Sequence, residues 1–500
     1  MLAEHVEALR GALAEKTPVT ARIIDTLRVD NGGILPEDWA SSSDPTTLQS
    51  GFVAFVPAAG AASRYVEPLS SIVTALKSSD HRGLITALEG LRSQGGDRWA
   101  LPAGLAALLA NPRQADTLNG DALMSPMKAL DVPKALFPCT LDGLSFLEMK
   151  MREHEALAAI DQQLFIVPPS LVSSQVLASQ SATAAKPVVF WEQGLEMSTL
   201  RVDANGNPIV EDDGSPSMVP AGHGALARLI PKIRQNFPTS HSMFIRNIDN
   251  VMGVSAAAVK ATEQFFRTHG TILQAIRGVR TALGCGDFSA GHEAVHTILR
   301  NPGTQKLSDN NQAFLTTLDT KVRPLWELMV RLFGMDPLTI AAQRARFGDL
   351  NALVQLFRRP VNTLGQVPNM GSDVGGSPVL IDTAEGRVRI CLELMHATPE
   401  DQEKFMRNPQ RATHFNPVIV AAEVPENDQT YTQSPLFWIM AAKTYRKKKV
   451  FYYETALYEL LGNTRTANAT FVEVPRLLFN PHKVLADTQG RFGSNWGLSS

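Results

Sequence analysis

The residues best suited to chemistry in this chain are ones that handle phosphate. The stretch Phe52-Val53-Ala54-Phe55-Val56-Pro57-Ala58-Ala59-Gly60-Ala61-Ala62-Ser63-Arg64 runs from apolar residues through a turn of small ones to an arginine. Small side chains let backbone N–H groups approach a ligand closely. A helix starting just after such a loop adds a positive dipole end, and an arginine at the rim offers a forked cation to phosphate oxygens. The same pattern also describes an ordinary strand-turn-helix corner filled with alanine. Farther on, Pro133 precedes Lys134. Proline restricts the chain around it, so the ammonium is aimed, although a surface lysine at the entry to an apolar strand has the same sequence. The run from Ser242 to Ile248 reads as a buried strand leading into Asp249 and Asn250. A carboxylate beyond the C-terminal end of an α/β strand faces the crevice where ligands bind. There it can hold Mg²⁺, which takes oxygen ligands and usually brings substrate phosphates with it. A turn or a cap would use an aspartate there too. Pro220-Ala221-Gly222-His223-Gly224 is a second glycine loop, opening a helix.

These groups need elements to hold them. Residues 1–50 read as an N-terminal helical segment, with Val6, Leu9 and Leu13 at helical spacing ahead of a polar loop. Residues 51–252 alternate short apolar runs, among them 164–168 and 187–191, with helical stretches. That alternation is the pattern of an α/β sheet with crossover connections. Over 253–360 the texture turns helical (259–283, 288–299, 312–333 and 337–357), which reads as an inserted helical subdomain. Strands return over 361–500, at 378–381, 388–392, 418–420 and 471–474. The expected class is α/β with a helical insertion.

Composition excludes several function classes. The 47 basic and 49 acidic residues nearly cancel, so no global field points to nucleic acid or to a membrane surface. Cys139, Cys285 and Cys391 are too few and too scattered for a disulfide framework or a cysteine metal knuckle. The N-terminus carries early carboxylates and no apolar core of a secretory signal, and no apolar run is long enough to span a bilayer. A cytoplasmic protein is the expectation.

With these pieces side by side, the chain resembles the UTP–sugar-1-phosphate uridylyltransferase superfamily, and more closely a bacterial family of unknown function related to it. The loop ending in Arg64 stands where the superfamily has its glycine-rich nucleotide loop. Val132-Pro133-Lys134 resembles its Pro-Lys element, Phe190-Trp191-Glu192-Gln193 its Phe-x-Gln strand, and Pro220 to Gly224 its Pro-Gly-His-Gly loop. Asn247-Ile248-Asp249-Asn250 is similar to the metal strand. Beyond the helices the likeness resumes at Ser372-Asp373-Val374-Gly375-Gly376 and Arg389 to Glu393. It continues at Thr413-His414-Phe415-Asn416-Pro417 and closes at Leu478 to Val484. The departures are Ala58-Ala59 and Ala61-Ala62 where the nucleotide loop has glycines, Ala225 and Val374 where the pattern has an acid and a lysine, and Pro417 in place of further asparagines after Asn416.

The resemblance implies a nucleotide-diphospho-sugar transferase fold, a Rossmann-like mixed sheet of GT-A type. It implies a Mg²⁺-dependent transfer of a nucleotidyl group, UTP first among donors, to a phosphorylated acceptor such as a sugar-1-phosphate, with release of pyrophosphate. Arg64, with the backbone of Ala58, Ala59, Gly60 and Ala61, would hold the leaving pyrophosphate, and Lys134 would neutralise charge there. Asp249 would hold the metal, with His414 as a second ligand or phosphate contact, and Lys483 would grip the acceptor phosphate. Gln193, Gly222, His223 and Gly224 would face the nucleotide, while Asn250, Gly375, Gly376, Glu393 and Asn416 would face the acceptor. Three other readings stay open. A nucleotide-sugar-dependent glycosyltransferase, or a non-catalytic nucleotide-binding relative, would use the same sheet, because fold does not fix chemistry. His292-Glu293-Ala294-Val295-His296 is a zinc-protease string whose imidazoles would share one helix face, with Glu327 as a third ligand.

Overall fold

Alternating apolar runs and helical stretches become a mixed α/β structure in the computed structural model. It describes residues 21–40, 51–60, 65–117, 132–194, 197–221, 224, 229–301, 304, 307–371, 375–383, 386–424, 438–446, 448–455 and 461–489. The strands are β1 (Arg22–Thr26), β2 (Phe52–Pro57), β3 (Ile160–Val167), β4 (Val188–Glu192), β5 (Ser198–Leu200), β6 (Met218–Pro220), β7 (Ser242–Arg246) and β8 (Val361–Pro368). They continue with β9 (Ser377–Thr383), β10 (Gly386–Leu392), β11 (His414–Phe415), β12 (Ile419–Glu423), β13 (Trp438–Tyr445), β14 (Lys448–Thr455) and β15 (Asn468–Glu473). The helices used below are α1 (Phe146–Glu155), α2 (Ala256–Cys285), α3 (Phe288–Leu299), α4 (Arg323–Arg331), α5 (Pro337–Phe347) and α6 (Asp349–Phe357). No helix among the described residues is long and apolar enough to cross a membrane.

The chain forms two compact units, each assembled from separate segments. The smaller comprises Ala54–Glu192, Arg246–Lys260 and Leu477–Ser500; the larger comprises Met1–Val53, Gln193–Ile245 and Ala261–Arg476. In the smaller unit β3 and β4 pair in parallel, Leu164 opposite Val189, with β2 on the other side of β3. Parallel strands bury both faces, and β3 accordingly holds Leu164 to Val167 fully buried. Their core also takes Phe137, Phe146, Met149, Ile248, Val251 and Leu485. Helix α1 starts at a reciprocal cap in which the Ser145 hydroxyl accepts from the Glu148 N–H and the Glu148 carboxylate accepts from the Ser145 N–H.

In the larger unit β8 pairs with β15 in parallel and with β11 and β12 antiparallel, and β12 neighbours β7. A second sheet has the order β1-β9-β10 with antiparallel pairing throughout. β1 is a departure from the helical reading of residues 1–50. Arg22 pairs with Asp382 and Ile23 with Ile381, because the β-branched pair Ile23-Ile24 fits a half-buried sheet edge better than a helix. Helices α2 to α6 pack Ile276, Leu325, Trp326, Met329 and Leu353 into a core that also takes Trp39, Val361 of β8 and Val472 of β15.

One buried carboxylate ties helix to sheet in the larger unit. Glu423, 2% exposed at the end of β12, receives Arg280 of α2 at 2.6 and 2.9 Å and the Val361 N–H at 2.9 Å. Arg280 also donates to the carbonyls of Phe357 and Arg359, at 2.6 and 2.8 Å. Removing one member of such a pair strands the other charge, at a cost of about 3–5 kcal/mol. Arg280→Met should therefore lower the urea midpoint by an amount of this order, partly relieved by Arg277 at 3.5 Å from the same carboxylate. An unchanged midpoint would refute the role given to this pair.

Candidate functional site

Asp249 is held among charged side chains by the residues around it. Ile248 and Val251 go into the smaller unit's core, and the Asn250 N–H closes a turn on the Asn247 carbonyl. The Asp249 side chain between them is 16% exposed. Its Oδ2 accepts from Lys134 Nζ at 3.2 Å and from Lys483 Nζ at 2.9 Å. Burial works against ionisation of this carboxyl, but the Lys134 and Lys483 ammonium groups outweigh it and hold the group down to about 2. Oδ1 is buried and has no hydrogen-bond partner among the described residues. One carboxylate oxygen is therefore held by cations while the other keeps its lone pairs, the donor chemistry that a hard divalent cation takes.

The two lysines differ in mobility. Lys134 is buried, and its Nζ also donates to the His482 carbonyl. It lies 4.9 Å from the ring centre of Tyr65 and 5.4 Å from that of Phe146. Burial lowers its pKa, and Asp249 offsets part of that effect. Lys134 opens a short 3₁₀ turn, Lys134–Leu136, rather than the apolar strand expected after Pro133. The Leu136 N–H reaches back to Pro133 O, and Phe137 N–H to Lys134 O. The Lys134 N–H donates to Gly60 O at 3.3 Å, so the small-residue loop and the lysine meet through backbone. Lys483, by contrast, has a side chain 53% exposed, with only its root fixed: Asp487 accepts from the N–H groups of Lys483 and Val484.

Behind Asp249 lies a layer of buried polar groups that motif spacing did not reveal. The Asp249 carbonyl accepts from the His482 N–H at 2.8 Å and the Asn480 carbonyl from the Val251 N–H at 3.1 Å, pairing the C-terminal segment with the acid's own loop. Asn250 adds side-chain bonds to the Asn480 N–H and to Leu478 O. On the other side, fully buried Lys150 of α1 pairs with Glu153 at 2.6 Å and donates to Asn250 O, while Glu153 accepts from the Met252 and Gly253 N–H groups at 2.7 and 2.9 Å. Desolvation pulls the Lys150 pKa down to about 8 against the pull of Glu153. His482 is fully buried edge-on to Phe146, and burial takes its imidazole down to about 4, so it is neutral at pH 7. The available signal was Lys150 and Glu153 three residues apart, and so on one face of α1, with Phe146 and Met149 buried nearby.

The remaining expected residues fall as follows. Arg64, Ala61, Gly222 and His223 lie outside the described residues; Gly224 is helical and buried. Ala58 is buried, Ala59 half-buried and Gly60 exposed, and a Cβ on Gly60 would meet nothing within 4 Å. Gln193, Gly375, Gly376, Glu393, His414 and Asn416 belong to the larger unit. His414 Nε2 lies 3.1 Å from Glu473 Oε1, and this bond holds the Glu473 carboxyl below the usual range. Fully buried Asn416 donates from Nδ2 to Gly365 O and Ile419 O and accepts from the Val418 N–H, so its amide braces backbone. Gly376 pairs with Asn416, and a Cβ on Gly375 would lie 2.5 Å from Asn416 O, which accounts for glycine there. Glu393 is half-buried directly after β10.

The zinc-protease string lies on α3 with Glu293 and His296 exposed, His292 Nε2 against Lys321 O, and Glu327 paired with Arg331. Among the described residues no group of three or more His, Cys, Asp or Glu side chains is positioned to hold a metal ion. That bears equally on both metal readings: a closed protein cage is missing, whereas one carboxylate completed by substrate phosphates is the usual magnesium arrangement.

Comparison with known proteins matches residues 311–489 to a family described as a domain of unknown function (DUF4301). No curated protein matches the chain in sequence. Several solved structures resemble it. One is an Entamoeba histolytica protein described as a UDP-N-acetylglucosamine pyrophosphorylase, 10% identical, with a TM-score of 0.47 over 92% of this chain and 82% of that one. Another is the Trypanosoma brucei UDP-N-acetylglucosamine pyrophosphorylase with an inhibitor, 12% identical, TM-score 0.45, over 97% and 74%. A third is a Leishmania major UDP-glucose pyrophosphorylase mutant with UDP-glucose, 14% identical, TM-score 0.43, over 97% and 73%. An unknown-function family and UDP-sugar pyrophosphorylases are the two relations read in the sequence.

Two outcomes follow from the geometry. A folded pKa below the unfolded one makes Asp249 contribute stability above the unfolded carboxylate value, lost as pH falls through about 2. In Lys483→Met, a change at an exposed side chain, the Asp249 carboxyl should titrate at higher pH by ¹³C NMR; an unmoved titration would show that Lys483 does not act on it. Lys150→Met should cost about 3–5 kcal/mol in chemical denaturation by leaving Glu153 charged and buried, and adding Glu153→Leu should recover much of the loss. A double variant no more stable than the single would contradict the pairing.

Proposed function

We propose that this chain is a magnesium-dependent nucleotidyltransferase that joins a nucleoside triphosphate, UTP first among donors, to a phosphorylated acceptor such as a sugar-1-phosphate. The observation that carries the reading is the Asp249 carboxylate, gripped on one oxygen by Lys134 and Lys483 and left with a buried, unpartnered second oxygen. Magnesium, when bound, supplies neutralisation of the crowded phosphate charge, and Asp249 through Oδ1 is the residue that would hold it.

In this reaction an oxygen of the acceptor phosphate forms the new bond at the α-phosphorus. The bond from that phosphorus to the oxygen bridging the β-phosphate breaks, and pyrophosphate leaves with the electron pair. A phosphate dianion needs no proton removed before it attacks, so the chain's task is positioning and charge neutralisation rather than general base catalysis. Lys134, fixed by its carbonyl bond and its aromatic neighbours, is the pre-set cation for the leaving pyrophosphate, joined by Arg64 and the backbone at Ala58 to Gly60. Lys483, anchored at its root and free to turn at its tip, takes the acceptor phosphate. Without substrates the two ammonium groups rest on Asp249, which keeps like charges from facing each other unscreened.

The test is a panel of nucleoside triphosphates with Mg²⁺ and assorted phosphomonoesters, read as pyrophosphate release. Activity should fall by about 10²- to 10³-fold in Asp249→Asn, the scale of a lost transition-state contact, with the circular dichroism of the parent and a lowered melting temperature, because Lys134 loses its counter-charge. Turnover of Asp249→Asn at the parent rate would refute the assignment. Consumption of a nucleotide sugar without triphosphate-dependent pyrophosphate would instead identify a glycosyltransferase.

A further inference from the structure

The segment that carries Lys483 joins the Asp249 loop through a short ladder. The His482 N–H donates to Asp249 O at 2.8 Å and the Val251 N–H to Asn480 O at 3.1 Å, with Asn250 opposite Pro481 between them. In an antiparallel pair of this kind the two central residues exchange no backbone bond, which is where a proline can sit. So short a ladder holds its register weakly. A slip of one residue would carry Lys483 along by about 3.3 Å and turn its side chain to the other face.

The side chain of Asn250 spans this ladder. It is 2% exposed, its Oδ1 accepts from the Asn480 N–H at 2.9 Å, and its Nδ2 donates to Leu478 O at 3.3 Å. Both ends of the amide are therefore bonded to backbone, on either side of Phe479. Arg246, fully buried at the end of β7, backs the arrangement. Its Nη2 donates to the same Leu478 O at 3.0 Å and to Asn250 O at 3.3 Å, and Lys150 Nζ also donates to Asn250 O. Asn250 is thus held from behind by two cations while its amide reaches across to the segment that presents Lys483. Lys483 in turn donates to Asp249 Oδ2 at 2.9 Å.

We infer that Asn250 is a positioning residue: it acts on the acceptor phosphate through Lys483, by fixing the register of the C-terminal segment on the Asp249 loop, and not by touching the acceptor. The effect on the acceptor rests on the transfer reading above, whereas the placing of Lys483 does not.

The experiment uses the full chain with Asn250→Ala and with the near-isosteric Asn250→Asp, which keeps an acceptor for the Asn480 N–H and gives up the donor to Leu478 O. Either variant decides the matter when it retains the circular dichroism of the parent. Without substrates, amide hydrogen exchange at Val251 and His482 should speed up about tenfold or more in Asn250→Ala and by less in Asn250→Asp, while the amides of β3 stay as protected as in the parent. Acylation of Lys483 by acetic anhydride, read by peptide mass spectrometry against the exposed Lys77, should quicken in the same order, because an amine released from its carboxylate gives up its proton more readily. In pyrophosphate-release assays the KM for the acceptor should rise about tenfold with the KM for the triphosphate unchanged, a split that general loosening of the fold would not produce. In a Lys483→Ala chain, Asn250→Ala should add little to that KM, since the residue it works through is gone.

Unchanged exchange and unchanged acylation in a folded Asn250 variant would overturn the inference. So would an effect on the acceptor KM that persists in full in the Lys483→Ala chain. Absence of pyrophosphate release from the parent would sink the transfer reading alone, and the exchange and acylation rates would still decide whether Asn250 places Lys483.

Discussion

A single carboxylate shared by two lysines is the constraint on which the site depends. Asp249 is mostly withdrawn from water, where a lone charge would shift its pKa until it neutralised itself. It stays ionised because Lys134 and Lys483 lie within hydrogen-bond distance of the same oxygen. Lys134 is in the converse position: burial lowers its pKa, and Asp249 works against that while two aromatic rings lie beside the ammonium. Each group therefore makes the other's charge tenable. Two ammonium groups share this one acid, and the Asp487 carboxylate also acts on Lys134.

That arrangement requires rigidity around Asp249 and freedom at Lys483. Rigidity comes from the C-terminal segment pairing with residues 249–251 and from the Lys150–Glu153 pair gripping the carbonyl and N–H groups of Asn250, Met252 and Gly253. A buried ion pair is weak evidence for net stability, since its desolvation cost rivals its attraction. What this one does is hold three backbone groups of the loop that follows the acid. Lys483 has its root bound to Asp487 and its tip half in water, so the same short segment both stiffens the loop and presents a movable cation.

Part of the charged cluster was legible, because the residue types and the ends of the elements that carry them show in the sequence. Lys134 after a proline, and Asp249 beyond an apolar run, are recognisable without coordinates, and the α/β alternation over β2 to β7 follows from apolar periodicity. Asn416 and Gly375 were misleading in an instructive way. Asparagine and paired glycines serve ligands and backbone equally well, and here the side chain of Asn416 and the bare Cα of Gly375 meet backbone at short range. The strand at Arg22–Thr26 escaped notice because a short edge strand declares itself through its partner β9, far along the chain.

By itself the sequence determined the class of elements, the order of Lys134, Asp249 and Lys483 along the chain and the near-balance of charge, because these depend on local periodicity, residue type and composition. Only the tertiary structure decided that Ala54–Glu192, Arg246–Lys260 and Leu477–Ser500 form one unit, and hence that Lys134, Asp249 and Lys483 meet. It alone decided that His482, Lys150 and Glu153 are buried beside them. The reason is physical: burial and mutual neutralisation arise from residues hundreds of positions apart closing on one another. No local pattern records which charges will share an oxygen.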